Sequence, residues 1–183
     1  MDGCELLIGV TGGIAAYKTA AMVSRLVQAG AGVTVVMTRA ATRFVGATTF
    51  EALTGRTVCT CMFDHPEHPL GSHVSLADKA DLMCVAPATA NFLAKAARGI
   101  ADDLLSTLYL AFPGPVVIAP AMNTVMWNQP AVQRNVVQLR DDGVHFVDPQ
   151  DGWLSCRASG PGRMADPQQI VDAIERWCPQ KLS

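Results

Sequence analysis

Charge is scarce in this chain. Of its 183 residues only 16% are Asp, Glu, Lys or Arg, and 14 basic against 16 acidic side chains leave a formal net charge of -2. No basic face is available to neutralise a run of phosphates, so nucleic acid is not an expected partner. Long apolar runs are missing too: Gly, Pro or a charge interrupts the hydrophobic stretches well before the ~20 residues that a membrane span needs. The first ten residues lack the basic segment of a secretory leader. We therefore expect no membrane association and a cytoplasmic location. Internal repeats and low-complexity tracts are also absent. A length of 183 residues suffices for one substantial core and is short for two catalytic domains, so a single domain over 1–183 is expected.

Cysteine is not lacking. Cys4, Cys59, Cys61, Cys84, Cys156 and Cys178 are scattered along the chain, but a domain of this size needs no staples and a reducing compartment keeps thiols free, so no structural disulfide is expected. Cys59 and Cys61 stand close to His65 and His68. The cysteine pair lacks the Cys-x2-Cys spacing of zinc sites, and no metal is expected. Half of the residues are hydrophobic. With so few charges, some of that apolar surface is expected to be buried between subunits.

Short β-branched runs alternate with helical segments, the order that builds a doubly wound α/β fold, a mostly parallel sheet with helices on both faces. Strands are expected at 6–11, 33–38, 82–86, 116–119 and 144–147. The third and fourth should stop at Pro87 and Pro120, because proline cannot donate to a ladder. A first helix carries Ala16, Ala20, Val23 and Val27 on one face and ends at Gly30; another runs from Pro130 toward Gly143. The last helix is signalled by Asp166 as N-cap, Pro167 in the first turn and Gln169 in capping-box position, with Ile170, Ile174 and Trp177 on one face. Residues 148–164 read as a long loop, and long loops inside compact domains are usually functional.

Open α/β sheets bind ligands beyond the carboxyl ends of their strands. After the first strand, Gly12, Gly13 and Ile14 open a helix whose free N–H groups favour a phosphate. The spacing is not Gly-x-Gly-x-x-Gly, which speaks for a mononucleotide such as FMN rather than a dinucleotide, although a plain turn would look the same. Thr38, Arg39 and Ala40 end the second strand, and Phe44 could lie against a flat ring. Thr89, Ala90, Asn91 and Phe92 follow the third, where Asn91 could hold a ring edge or simply cap a helix. Ala121, Met122 and Asn123 follow the fourth, with Met126 and Trp127 close behind: an apolar wall with one amide, able to orient a small carboxylate. His73 stands at a helix start, and histidine is the residue type suited to acid-base work. Cys156 lies in the long loop with no core to fill, unlike Cys84 in its strand. Asp102 and Asp103 suit a helix start better than a catalytic pair.

Taken together, Thr11 to Lys18, His73-Val74-Ser75-Leu76, Ala86 to Asn91, Pro120-Ala121-Met122-Asn123 with Met126-Trp127, and Cys156 with Gly160-Pro161-Gly162-Arg163-Met164 resemble the homo-oligomeric flavin-containing cysteine decarboxylases. The resemblance covers nearly the whole chain in order. It implies a Rossmann-like flavoprotein fold, FMN as cofactor, and trimers or dodecamers built from trimers with the flavin near a subunit interface. The small-molecule substrate it implies is 4'-phosphopantothenoylcysteine, decarboxylated in coenzyme A synthesis. By the same resemblance FMN contacts residues 12–14, 38–40, 89–92 and Ala121, Asn123 binds the substrate carboxylate, His73 is the base, and Cys156 donates a proton from a flap at 148–164. Arg157 departs from the family, which usually has Gly after this cysteine. Bacterial relatives are commonly fused to a ligase. A peptidyl-cysteine decarboxylase and a non-catalytic flavin-binding regulatory subunit are the alternative readings.

Overall fold

The five β-branched runs form one parallel sheet in the computed structural model, which describes residues 1–62 and 72–179. In chain order the elements are β1 (Glu5–Val10), α1 (Ala16–Gln28), β2 (Gly32–Met37), α2 (Ala47–Thr54), α3 (Ser72–Lys79), β3 (Leu82–Ala88), α4 (Ala90–Arg98), α5 (Leu104–Ala111), β4 (Val116–Pro120), α6 (Thr124–Trp127), α7 (Pro130–Asp141), β5 (His145–Phe146), β6 (Gln150–Trp153), β7 (Ser159–Arg163) and α8 (Pro167–Trp177). The sheet order is β2-β1-β3-β4-β5. This is a Rossmann-like flavoprotein fold, and strand order reverses between β1 and β3, where such sheets open a crevice.

Both faces are covered, which is why the strands are near-continuous hydrophobic runs. Leu6, Ile8 and Val10 of β1 pack with Met22 and Leu26 of α1, Phe50 of α2 and Ile170 and Ile174 of α8. Leu7, one residue out of phase, joins the opposite core with Leu76 of α3, Leu93 of α4, Leu105 and Leu108 of α5 and Leu139 of α7. Helix starts follow their local chemistry. The Asp166 and Gln169 capping box is formed, and Asp103 caps α5 in a reciprocal pair with Ser106 while Lys95 bridges Asp102 and Asp103.

Several expectations need correction. Pro87 does not stop β3, which runs on to Ala88 through an irregularity in its register with β4. Residues 148–164 are not an unstructured loop: β6 and β7 pair as an antiparallel ribbon. The fifth strand shrinks to two residues, and Trp177 leaves the buried face of α8 to stack on His145, ring centroids 3.4 Å apart. Cys59 is buried and bridged to Val36 of β2; His65 and His68 lie outside the described residues.

The expectation of no disulfide is also overturned, because Cys4 and Cys178 are joined. Cys4 precedes β1 and Cys178 follows α8, and both sit at the edge of the same hydrophobic core, a proximity that nothing local in the sequence encodes. Closing so long a loop restricts the unfolded chain. Reductant, or Cys178→Ser, is expected to remove about 2–5 kcal/mol of stability. Thermal melts with and without reductant check this; superimposable melts would show that the link contributes nothing.

Candidate active site at the switch point

The carboxyl ends of β1, β3 and β4 and the β6–β7 ribbon enclose a cleft of about 610 Å³, within the usual range for a small-molecule site. The first wall is the β1–α1 turn with Gly12, Gly13 and Ile14. A side chain on Gly12 would collide with the Cβ and backbone of Ala40, so glycine is required for the turn to lie against the chain that leaves β2. The second wall is the start of α4, with Thr89 and Ala90. Thr89, not Asn91, is the cap, its side chain accepting from Phe92 N.

The third wall follows β4, with Ala121, Met122, Asn123 and Met126. Asn123 Oδ1 accepts a hydrogen bond from Met126 N at 2.7 Å, which fixes the side chain and leaves its Nδ2 group as a donor at the cleft. The ribbon makes the fourth wall with Trp153, Leu154, Ser155, Cys156 and Gly162. It is anchored by Met122 N donating to Gly162 O at 3.0 Å. Gly162 has φ +134, and any Cβ there would strike Met122 O; this close approach explains the glycine of the Gly160-Pro161-Gly162 run.

Cys156 lies in the ribbon's turn, exposed and free. Arg157 N donates to Leu154 O, and Leu154 N to Ala158 O, both at 2.9 Å. Arg157 closes that turn with φ 62, a left-handed conformation that costs a residue with a Cβ about 1–2 kcal/mol and glycine almost nothing. Cys84, by contrast, is fully buried in β3, and burial pushes its thiol up to about 12. It stays protonated and inert.

Two cations line the cleft to which the sequence reading gave no role, Lys18 and Arg163. Lys18 Nζ donates to Met164 O at 3.4 Å; both cations lie near Asp166 Oδ1, at 4.0 and 3.8 Å. Burial and the neighbouring Arg163 hold the Lys18 ammonium below its ordinary pKa, with Asp166 opposing them. An anionic group entering the cleft would meet this pair. A signal was available for Lys18, which stands one helical turn beyond Ile14; Arg163 arrives only through the ribbon.

The cleft thus brings together Gly12, Gly13, Ile14, Thr89, Ala90, Ala121, Met122, Asn123, Met126 and Cys156. Other candidates do not line it. Thr38, Arg39 and Ala40 follow β2, with Thr38 N held by Val10 O at 3.0 Å. Phe44 is exposed, Asn91 points outward on α4, and the Phe92 side chain is buried edge-on to Tyr109. His73 sits in α3, a helix that leads back along the sheet to Asp81, whose N–H donates to Glu5 O at the start of β1. Its Nδ1 is buried without a hydrogen-bond partner among the described residues.

The profile of a family described as Flavoprotein matches residues 1–178. The chain is 48% identical over 183 residues, its whole length, to the coenzyme A biosynthesis bifunctional protein CoaBC of Bacillus subtilis, and covers 45% of that protein. It therefore spans about half the length of the curated relatives it matches. Among solved structures it is similar to the FMN-dependent cysteine decarboxylase SpaF, with 42% identity and a TM-score of 0.83 over 93% of this chain and 94% of that one. It is also similar to a PPC decarboxylase mutant complexed with pantothenoylaminoethenethiol, with 27% identity and a TM-score of 0.85 over 94% and 97% of the two chains.

Proposed function

Because the chain belongs to the flavoprotein family, we propose that it is an FMN-dependent carboxy-lyase that decarboxylates 4'-phosphopantothenoylcysteine to 4'-phosphopantetheine in coenzyme A biosynthesis. The observation that carries this reading is the convergence of Asn123 and Cys156, from two separate elements, on a cleft at the switch point of the sheet. The residues present fit a flavin. The walls are mostly apolar, and the β1–α1 turn brings Gly12, Gly13 and Ile14 to the cleft ahead of the helix that begins at Ala16. Of the residues that line the cleft, Gly12, Gly13 and Ile14, then Thr89 and Ala90, with Ala121 and Met122, are those that would hold it. When bound, FMN supplies the electron acceptor without which the carbanion left by a departing carboxylate has no sink.

The remaining steps belong to side chains. Asn123, its Oδ1 tied to Met126 N, directs Nδ2 at the substrate carboxylate and fixes its orientation. Lys18 and Arg163 supply positive charge for the anionic groups of substrate or cofactor. His73 takes the proton of the substrate thiol, and Cys156 returns a proton to the product carbon. The ribbon within 148–164 acts as a flap that excludes water while the substrate is reactive.

The chain forms trimers, or dodecamers built from trimers, in which a second copy brings its His73 to the cleft. Two observations support this: His73 does not line the cleft of its own chain, and Val74, Ile100, Leu110, Val125 and Val137 are large apolar residues left exposed. The cytoplasm is the proposed compartment; among the described residues no helix is long and apolar enough to cross a membrane. Incubation with 4'-phosphopantothenoylcysteine should release carbon dioxide and 4'-phosphopantetheine, read by mass spectrometry. Turnover only of peptides that end in cysteine would contradict the substrate, and turnover of neither would contradict the activity.

A further inference from the structure

Only three polar residues are fully buried among the described residues, Thr11, Thr19 and Ser106. Ser106 belongs to the cap of α5. The other two serve one place, the end of β3. There the register with β4 passes from Val85 opposite Ile118 to Ala88 opposite Pro120, so Ala86 and Pro87 together face Ala119 alone. Such a bulge takes carbonyls out of the ladder, and in a sheet buried on both faces they need other donors.

Two hydroxyls supply them. Thr19 Oγ1, from α1, donates to Ala86 O at 2.8 Å. Thr11 Oγ1 donates to Pro87 O at 2.7 Å, where Thr11 N also donates at 3.3 Å. The Thr11 hydroxyl does something more: it accepts from Thr89 N at 3.0 Å. One side chain from the end of β1 therefore closes the turn that leaves β3. Thr89 follows this turn, caps α4 and, with Ala90, forms a wall of the cleft, while the residues next to Thr11, Gly12 and Gly13, form the adjoining wall.

We propose that Thr11 is a positioning residue of the flavin site, holding these two walls in register through its hydroxyl, while Thr19 supports the bulge without setting the cleft. The proposal rests on the flavin reading above. Valine keeps the branched shape of threonine but can neither donate to Pro87 O nor accept from Thr89 N. Thr11→Val and Thr19→Val each strand a buried polar group, so both should lower the melting temperature. Only Thr11→Val should also weaken FMN binding, about tenfold, with Thr11→Ser restoring it. In flavin-free protein the Thr89 amide should lose its protection from hydrogen exchange in Thr11→Val and keep it in Thr11→Ser and Thr19→Val.

FMN fluorescence titration, thermal melts and amide exchange of the three variants test this, with Thr11→Ala taking the place of Thr11→Val should the latter not fold. Wild-type affinity and a protected Thr89 amide in the hydroxyl-free variant would overturn the role given to Thr11, as would an equal loss of affinity in Thr19→Val. A wild-type protein that binds no flavin would instead overturn the flavin reading itself, and the amide exchange distinguishes the two failures.

Discussion

His73→Asn is expected to keep the fold and bind FMN while turnover of 4'-phosphopantothenoylcysteine falls by about 10²–10⁴-fold, the usual contribution of a positioned acid or base. The case rests on chemistry and place. A histidine changes charge near neutral pH, and this one keeps a ring nitrogen buried without a partner among the described residues. Asparagine preserves hydrogen bonding but cannot accept a proton. Substrate decarboxylation is the readout, with the flavin absorbance of the same sample as the control for binding. Full turnover by His73→Asn would remove the base from this account.

Cys156→Ser should fail later in the reaction. A serine hydroxyl keeps the size of the thiol but is a far poorer acid near neutral pH, so carbon dioxide should still leave while the product carbon is not reprotonated. Release of 4'-phosphopantetheine should drop by orders of magnitude, on the scale of about 10²–10⁴-fold, and a substrate-derived intermediate oxidised relative to the product should accumulate. Quenched-flow mass spectrometry separates the two outcomes. Normal product release by Cys156→Ser would assign the proton to another group.

The two variants together test the assembly. If each cleft takes His73 from a second copy, the two inactive proteins, unfolded and refolded as a mixture, should regain part of the wild-type activity in hybrid oligomers. Cysteine and histidine acting only within one chain would allow no such recovery.

Much of the fold is local chemistry and was legible from it. Runs such as 6–11 and 33–38 contain enough β-branched and aliphatic residues to be buried on both faces, and the Asp166, Pro167 and Gln169 sequence announces a helix start within four residues. The β6–β7 ribbon was not legible. It is short and glycine-rich, pairs with no other strand among the described residues, and shows no alternation, because most of its residues are at least partly exposed. Pro87 misled for a related reason: the carbonyls beside it are satisfied by hydroxyls 67 and 76 residues away, and no local rule contains them.

The same division runs through the candidate site. Gly12, Gly13, Asn123 and Cys156 were visible because their residue types are unusual for the places they occupy, and the structure gathers all four around one cleft. Lys18 and Arg163 were not, since a cation on a helix and another on a hairpin look like ordinary surface until the ribbon folds back onto α1. His73 is a third case, a residue with the right chemistry that its own chain leaves away from the cleft.

Titration of flavin-free protein with FMN, followed by flavin fluorescence, addresses the central claim most directly, because the substrate chemistry requires an electron acceptor seated between the β1–α1 and β3–α4 turns. The expected result is saturable binding of one FMN per chain, abolished by Gly12→Val, whose side chain would collide with Ala40 and push the β1–α1 turn out of place. No change in fluorescence at any protein concentration, or equal binding by Gly12→Val, would contradict it.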